Sequence, residues 1–199
     1  MKKIIFLLIL SLVLFLFSCE NPLKPTLEIL TGDADYYPLS IGNYWRYSSQ
    51  LNDDYSLKVK EMVWYGGRHS FRVEKREGNS YSSSFYSKVQ DGVQIFSSNG
   101  WSYYVQYPFI KNGGWKYSYG DTTIVYTLEG WEDIQTPAGN FKDCAKFFVS
   151  EGRETMSGLD VISEYYYWFS KNVGIVKIEQ TYSKVNQYEL IQLLDYNIK

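Results

Sequence analysis

Beyond residue 30 the apolar residues follow short runs of strict alternation, and no segment sustains the i, i+3, i+4, i+7 spacing of an amphipathic helix over three turns. Val161, Ser163, Tyr165, Tyr167 and Phe169 fall on one side of an extended chain, and Ile162, Glu164, Tyr166 and Trp168 on the other. Near the end, Tyr188, Leu190, Gln192, Leu194 and Tyr196 alternate with Glu189, Ile191, Leu193 and Asp195. That run also carries helical spacing at Leu190, Leu193 and Leu194, but its Tyr and Ile content favours a strand. Turn residues punctuate the runs: Asn52-Asp53-Asp54, Gly66-Gly67, Gly78-Asn79, Asp91-Gly92, Asn99-Gly100, Asn112-Gly113-Gly114, Gly120-Asp121, Pro137-Ala138-Gly139-Asn140 and Lys171-Asn172. Linkers this short close hairpins and cannot hold the crossover helices of a parallel sheet. The pattern predicts an all-β body, an antiparallel meander that forms a partly closed barrel or a curved sheet or sandwich.

The first residues follow another pattern. Lys2 and Lys3 precede an apolar run from Ile4 to Phe17, too short for the ~20 residues that span a bilayer. It has the form of a signal peptide, residues 1–18, ending at Leu16-Phe17-Ser18-Cys19. Those four residues resemble the bacterial lipobox, in which a small residue precedes a cysteine that is acylated and becomes the mature N-terminus; Phe17 departs from the small or β-branched residue usual there. The resemblance implies lipidation at Cys19. Residues 19–35, with Pro22 and Pro25, read as the lipidated N-terminus and an extended tether, and 36–199 as a single β domain.

Composition adds one positive feature and several exclusions. Aromatic residues make up 19% of the chain, with 6 Trp, 20 Tyr and 11 Phe. The charge balance is 20 Lys+Arg against 22 Asp+Glu; loss of Lys2 and Lys3 makes it 18 against 22, or −4. No basic surplus exists to neutralise phosphates, so nucleic acid is not an expected partner. One histidine and two cysteines leave little for a multi-ligand metal site or a disulfide framework. With Cys19 acylated, Cys144 has no intramolecular partner, and its neighbours Ala145, Phe147 and Phe148 suit a buried small hydrophobe.

An internal repeat organises the body. Tyr37-Pro38-Leu39 and Trp45-Arg46-Tyr47-Ser48 recur as Tyr107-Pro108-Phe109 and Trp115-Lys116-Tyr117-Ser118, at an offset of 70 residues. Phe71 corresponds to Phe141 at that offset, whereas Ser87-Lys88 and Gly92-Val93 correspond to Ser170-Lys171 and Gly174-Ile175 at 82 or 83. The two copies run over roughly 36–98 and 106–180, two similar halves expected to pack as one domain because neither could bury its apolar sheet face alone.

At these motifs the chain resembles a family of bacterial cell-envelope proteins, many of them lipoproteins, with no established activity. They open with Tyr-x-Pro-Leu-x-x-Gly-x-x-Trp-x-Tyr, here Tyr36 to Tyr47. The stretch Thr136-Pro137-Ala138-Gly139-Asn140-Phe141-Lys142-Asp143-Cys144 is similar too, as is Tyr165 to Lys177 with its Val173-Gly174-Ile175-Val176-Lys177. The resemblance implies a β-rich body, such as a curved open barrel, and carries no catalytic residue over.

The candidate chemistry is sparse. His69 follows the Gly66-Gly67 turn, and no Gly-x-Ser-x-Gly nucleophile elbow accompanies it. Glu164 is the best-placed acid, and no second carboxyl is paired with it as a glycosidase requires. No catalytic residue, metal or cofactor is therefore assigned. Trp45, Trp115, Tyr166 and Trp168 are the candidate ligand-binding residues, because exposed rings on a rigid sheet stack on sugars or line an apolar cavity; the same rings also serve as core. The expected protein is a non-catalytic binding or interaction module, lipid-anchored at the cell membrane or outer membrane with its body outside the cytoplasm. The membrane is its partner through the N-terminal lipid, with an unknown protein, glycan or lipid as ligand. A lipid or lipoprotein carrier with a barrel cavity is the alternative, and a glycan-acting hydrolase ranks last.

Overall fold

Each alternating run becomes a strand, and the turn residues sit where the chain reverses. The computed structural model describes residues 35–182 and 187–199, within one compact unit spanning Asp33–Lys199. The expected signal peptide, Cys19 and the tether up to residue 34 lie outside the described residues. The first six strands are β1 (Tyr44–Ser49), β2 (Tyr55–Tyr65), β3 (Arg68–Glu77), β4 (Ser80–Val89), β5 (Gly92–Ser97) and β6 (Gly100–Gln106). The second six are β7 (Gly114–Tyr119), β8 (Thr122–Thr136), β9 (Gly139–Thr155), β10 (Gly158–Ser170), β11 (Gly174–Tyr182) and β12 (Gln187–Asn197). No helix occurs among the described residues.

All twelve strands belong to one antiparallel sheet, in the order β6-β5-β4-β3-β2-β1-β12-β11-β10-β9-β8-β7. It is thus two six-stranded meanders joined in the middle by β1 and β12, whose register runs from Tyr44↔Asn197 to Ser49↔Ile191. The free edges, β6 and β7, come together without a ladder and nearly close the sheet into a barrel. At one end of this seam Asn99 Nδ2 donates to Gly120 O at 3.2 Å and Gly120 N to Ser98 Oγ at 3.2 Å. At the other end the chain itself crosses, through residues 107–113.

The entry to each half has the same backbone pattern. Asn43 N donates to Ser40 O at 2.9 Å, and Gly113 N to Ile110 O at 2.8 Å. Gly42 N donates to Val59 O and Asn112 N to Leu128 O, each at 2.8 Å. Val59 N donates to Asn43 O at 2.9 Å, and Leu128 N to Gly113 O at 2.8 Å. Gly42 (φ +95°) and Asn112 (φ +63°) both take left-handed conformations, which is why glycine and asparagine stand at these turns.

The sheet's concave face is filled by rings. Phe109, Trp115, Tyr126 and Phe147 form one cluster, with Trp115 stacked on Tyr126 at 4.6 Å and Phe109 edge-on to Phe147 at 4.8 Å. In the other half, Tyr37 packs against Trp45, Tyr86 and Tyr104. Tyr37 and Leu39 reach the core from the irregular segment before β1 and plug that end of the barrel. Asn43, fully buried, holds the plug in place: its Nδ2 donates to Pro38 O at 2.9 Å and its Oδ1 accepts from Lys199 N at 3.0 Å.

Bulges break the simple alternation. Between Trp168 and Phe169 the β10–β11 register slips by one residue, and Trp168, Phe169 and Ser170 are buried in succession. Tyr165 and Tyr167 point inward, and Tyr167 stacks with Tyr126 at 6.1 Å.

Cys144 on β9 is a free, fully buried thiol, and burial pushes its pKa up to about 11. In a Cys19→Ser chain, where Cys144 is the single thiol, iodoacetamide at pH 8 is expected to leave it unmodified in the native protein and to label it in 6 M guanidinium, read by mass spectrometry. Leu193, fully buried opposite Tyr47 at the β1–β12 junction, tests that junction. Leu193→Ala is expected to cost about 2–5 kcal/mol in urea unfolding, and Leu51→Ala, at the exposed β1–β2 turn, less than about 0.5 kcal/mol.

Candidate functional site

The residues singled out from the sequence divide between the two faces of the sheet. Trp45 is 2% exposed and lies in the core, with its Nε1 donating to Val173 O at 2.6 Å. Trp115 occupies the corresponding place at the start of the second half. Tyr166 and Trp168 point outward from β10, and the register sets Trp168 opposite Lys146 on β9 and Lys177 on β11. The two ammonium groups flank the indole: Lys177 Nζ lies 4.5 Å from its centre and Lys146 Nζ 5.6 Å, with Lys146 4.5 Å from the Tyr166 ring. Each such contact contributes roughly 0.5–1 kcal/mol at an exposed site. Trp168 Nε1 donates to Glu132 Oε1 at 2.5 Å, while Glu129 and Glu179 pair with the two lysines. Trp168 therefore faces outward but is 3% exposed, roofed by its own chain's cations and acids.

One concave site lies at the open seam, and another, of about 310 Å³, lies beside Arg46, Tyr55 and Arg76. A cleft of about 270 Å³ is bounded by residues 106–110, where β6 gives way to the linker, by Gly113, Gly114 and Trp115 at the start of β7, and by Leu128 and Phe147 behind them. Its lining is polar and apolar in about equal parts, and the strands beside it have edges without a ladder. Gly114 keeps the first β7 residue tight against β8, since a Cβ there would lie 1.8 Å from Tyr126 O. Trp115 is 8% exposed, and its buried Nε1 has no hydrogen-bond partner. Buried donors are nearly always satisfied, so an orphan beside a cleft marks this place.

At the opposite end two carboxylates are held by tyrosines. Glu189, 2% exposed, accepts from Ser49 Oγ (2.5 Å) and Asn52 Nδ2 (2.9 Å) on one oxygen and from Tyr182 Oη (3.0 Å) on the other. Glu151 accepts from Tyr119 Oη at 2.7 Å and from Tyr165 Oη. Desolvation, followed by the hydrogen bond to its carboxylate, pushes Tyr119 and Tyr182 each up to about 12, so both phenols stay neutral donors. Glu164 is exposed on β10, and His69 is exposed on β3, its ring edge-on to Trp64 at 5.1 Å. Among the described residues no group of three or more His, Cys, Asp or Glu side chains is arranged to hold a metal.

A second surface went unnoticed in the sequence. The tip of the β2–β3 hairpin lies against outward-facing rings: Tyr65 stacks on Phe85 at 3.6 Å, Trp101 Nε1 donates to Gly66 O at 2.8 Å, and the Arg68 guanidinium sits 4.6 Å over Trp101. The alternate positions on the hairpin, Met62 (53%) and Trp64 (68%), face solvent.

Comparison with known proteins places the chain among similar folds. A family model described as DUF3108-like matches residues 120–193, from the β7–β8 turn into β12. No curated protein matches the chain. A crystal structure from Bacteroides fragilis, described as an exported protein with a YmcC-like fold, is similar over 83% of this chain and 100% of its own, with a TM-score of 0.56 and 14% identity. A second, from Parabacteroides distasonis and described as a lipoprotein, is similar over 82% of this chain and 99% of its own, with a TM-score of 0.53 and 18% identity. At these identities the likeness is one of fold: a twelve-stranded, nearly closed antiparallel sheet with similarity to an exported protein and to a lipoprotein.

Proposed function

We propose that this protein is a lipid-anchored, non-catalytic binding module of the bacterial cell envelope, tethered through Cys19 and binding its ligand at the β6–β7 seam. The leader and the Leu16-Phe17-Ser18-Cys19 sequence support the anchor, and the descriptions of the two similar structures as exported protein and lipoprotein agree with an envelope location. The observation that carries the binding-module reading is the filled lumen. Phe109, Trp115, Tyr126, Phe147, Tyr167 and Phe169 occupy the space that an acyl chain would need in a carrier, and the cleft of about 270 Å³ opens at the seam. The shared hydrogen-bond pattern at the entries to β1 and β7 supports a duplication of a six-stranded unit as the origin of the body.

Two experiments test this. In a bacterial host, the wild-type chain is expected to incorporate labelled palmitate and to sediment with membranes, and Cys19→Ser to lose both; label retained by Cys19→Ser would remove the anchor. Native mass spectrometry of the protein purified from its own cells is expected to show no co-purifying phospholipid, and a stoichiometric lipid would favour the carrier instead.

A further inference from the structure

The outward face of β1, β2 and β3 carries the second concave surface. The register sets Arg46 opposite Ser56 and Ser56 opposite Arg76, so the two arginines stand in one row on either side of the serine. At a strand spacing of about 4.8 Å their backbones lie roughly 10 Å apart. Both line the groove of about 310 Å³, together with Tyr44, Asp54 and Ser56. Lys58 stands one row along, opposite Tyr44, and like both arginines it is exposed.

The chain has five arginines, and its own acceptors hold the other three. Arg68 donates to Gln94 Oε1 at 2.6 Å, Arg72 donates to Glu61 Oε1 at 2.8 Å, and Arg153 pairs with Asp121 at 3.1 Å. Among the described residues no acceptor holds Arg46 or Arg76, and no carboxylate pairs with Lys58. Arg76 rests only on the Tyr81 ring, 5.4 Å from its centre. Asp54 in the groove wall and Asp195, opposite Arg46 on β12, form no ion pair with them. The second half supplies an internal comparison. Leu128 stands where Val59 does at the entry turn, so the row Arg46-Ser56-Arg76 corresponds to Lys116-Val125-Ser150. There the one cation, Lys116, is neutralised by Glu154 at 2.9 Å. The first half departs from its copy by placing two unpaired guanidiniums at a concave surface.

We propose that this groove binds an oxyanion, a carboxylate or phosphate group, between Arg46 and Arg76 and over the Ser56 hydroxyl, with Lys58 adding charge from the next row. The inference goes beyond the seam reading and does not rest on it. A guanidinium presents its N–H groups in a fork that matches two oxygens of one such group. Ser56 supplies a neutral donor between the two forks. The chain is acidic overall, with 20 Lys+Arg against 22 Asp+Glu, so the selection for an anion comes from this local cluster and not from net charge.

The full chain is labelled with ¹⁵N-arginine, which gives one Nε–H resonance for each arginine. It is titrated at physiological ionic strength with inorganic phosphate and, separately, with galacturonate; galactose is the neutral control. The resonances of Arg46 and Arg76, assigned by correlation to their own backbone, are expected to shift saturably, while those of Arg68, Arg72 and Arg153 stay in place. Arg46→Gln and Arg76→Gln are each expected to weaken binding about tenfold, the worth of one hydrogen bond between charged groups. Lys116→Gln, at the corresponding place in the second half, is expected to leave binding unchanged. Saturation with one anion alone supports the site and identifies its ligand as phosphate or as carboxylate. Shifts that grow linearly and alike in all five arginines mean an adventitious ion only and overturn the proposal. Binding that survives both glutamine substitutions, an equal response to galactose, or no shift with either anion overturns it as well. If a variant does not fold, the wild-type shift pattern decides by itself, because its assignment needs no variant.

Discussion

Closing a sheet of twelve strands creates an interior that must be filled, and this protein fills it with rings. Eight strands leave a lumen that ordinary side chains just occupy. With twelve, aliphatic side chains would leave voids, and each void forfeits contacts on every wall. Tyr, Trp and Phe supply the necessary bulk, and the plug of Tyr37 and Leu39 supplies more. Tyrosine adds a polar tip that needs a partner when buried. Tyr47 Oη on β1 donates to Ile175 O on β11, one strand beyond its β12 neighbour, at 2.9 Å. Desolvation holds the phenols of Tyr104, Tyr126 and Tyr167 well above their ordinary range, so the interior carries neutral hydroxyls. The high aromatic content therefore answers to strand number first.

The near-symmetry of the two meanders is broken where their ends meet. Exchange of the two meanders would carry the β1–β12 junction onto the β6–β7 seam. The first is a ladder with one bulge, between Arg46 and Tyr47, and Trp45, Asn43 and the plug are locked over it. The second is pinned by side chains at one end and crossed by the linker at the other. The aromatic cluster around Phe109 seals the seam from within, yet leaves the cleft at its mouth.

The strands were largely legible because their turns use residues with special backbone freedom. Gly66-Gly67, Gly78-Asn79, Asn99-Gly100 and Gly120-Asp121 all mark reversals in the structure. The reversal between β9 and β10 was not legible: Met156-Ser157 gives no signal beyond Gly158, which takes φ +123°. The period of two separated Tyr166 and Trp168 from Tyr165 and Tyr167 without saying which face is outer; the structure turns Tyr166 and Trp168 outward, but exposure does not follow from facing outward. The lysines that cover Trp168 come from β9 and β11, 22 residues before it and 9 after, and only the register brings them there. The seam cleft was hidden for the same reason. Trp115 and Phe109 were visible in the repeat, whereas Leu128 and Phe147 join them through pairing across three strands.

The position of the last strand has a further consequence. In most meanders the C-terminal strand is an edge, and its loss trims the sheet. Here the final segment sits between β1 and β11 at the centre of the order, and Lys199 reaches Asn43 beside the plug. A chain that ends a dozen residues early would expose two ladders in the middle of the molecule and detach the first half from the second. Strands β1 and β12 must find each other across about 140 to 150 residues of chain, a closure of high contact order that delays completion of the fold until β12 is available.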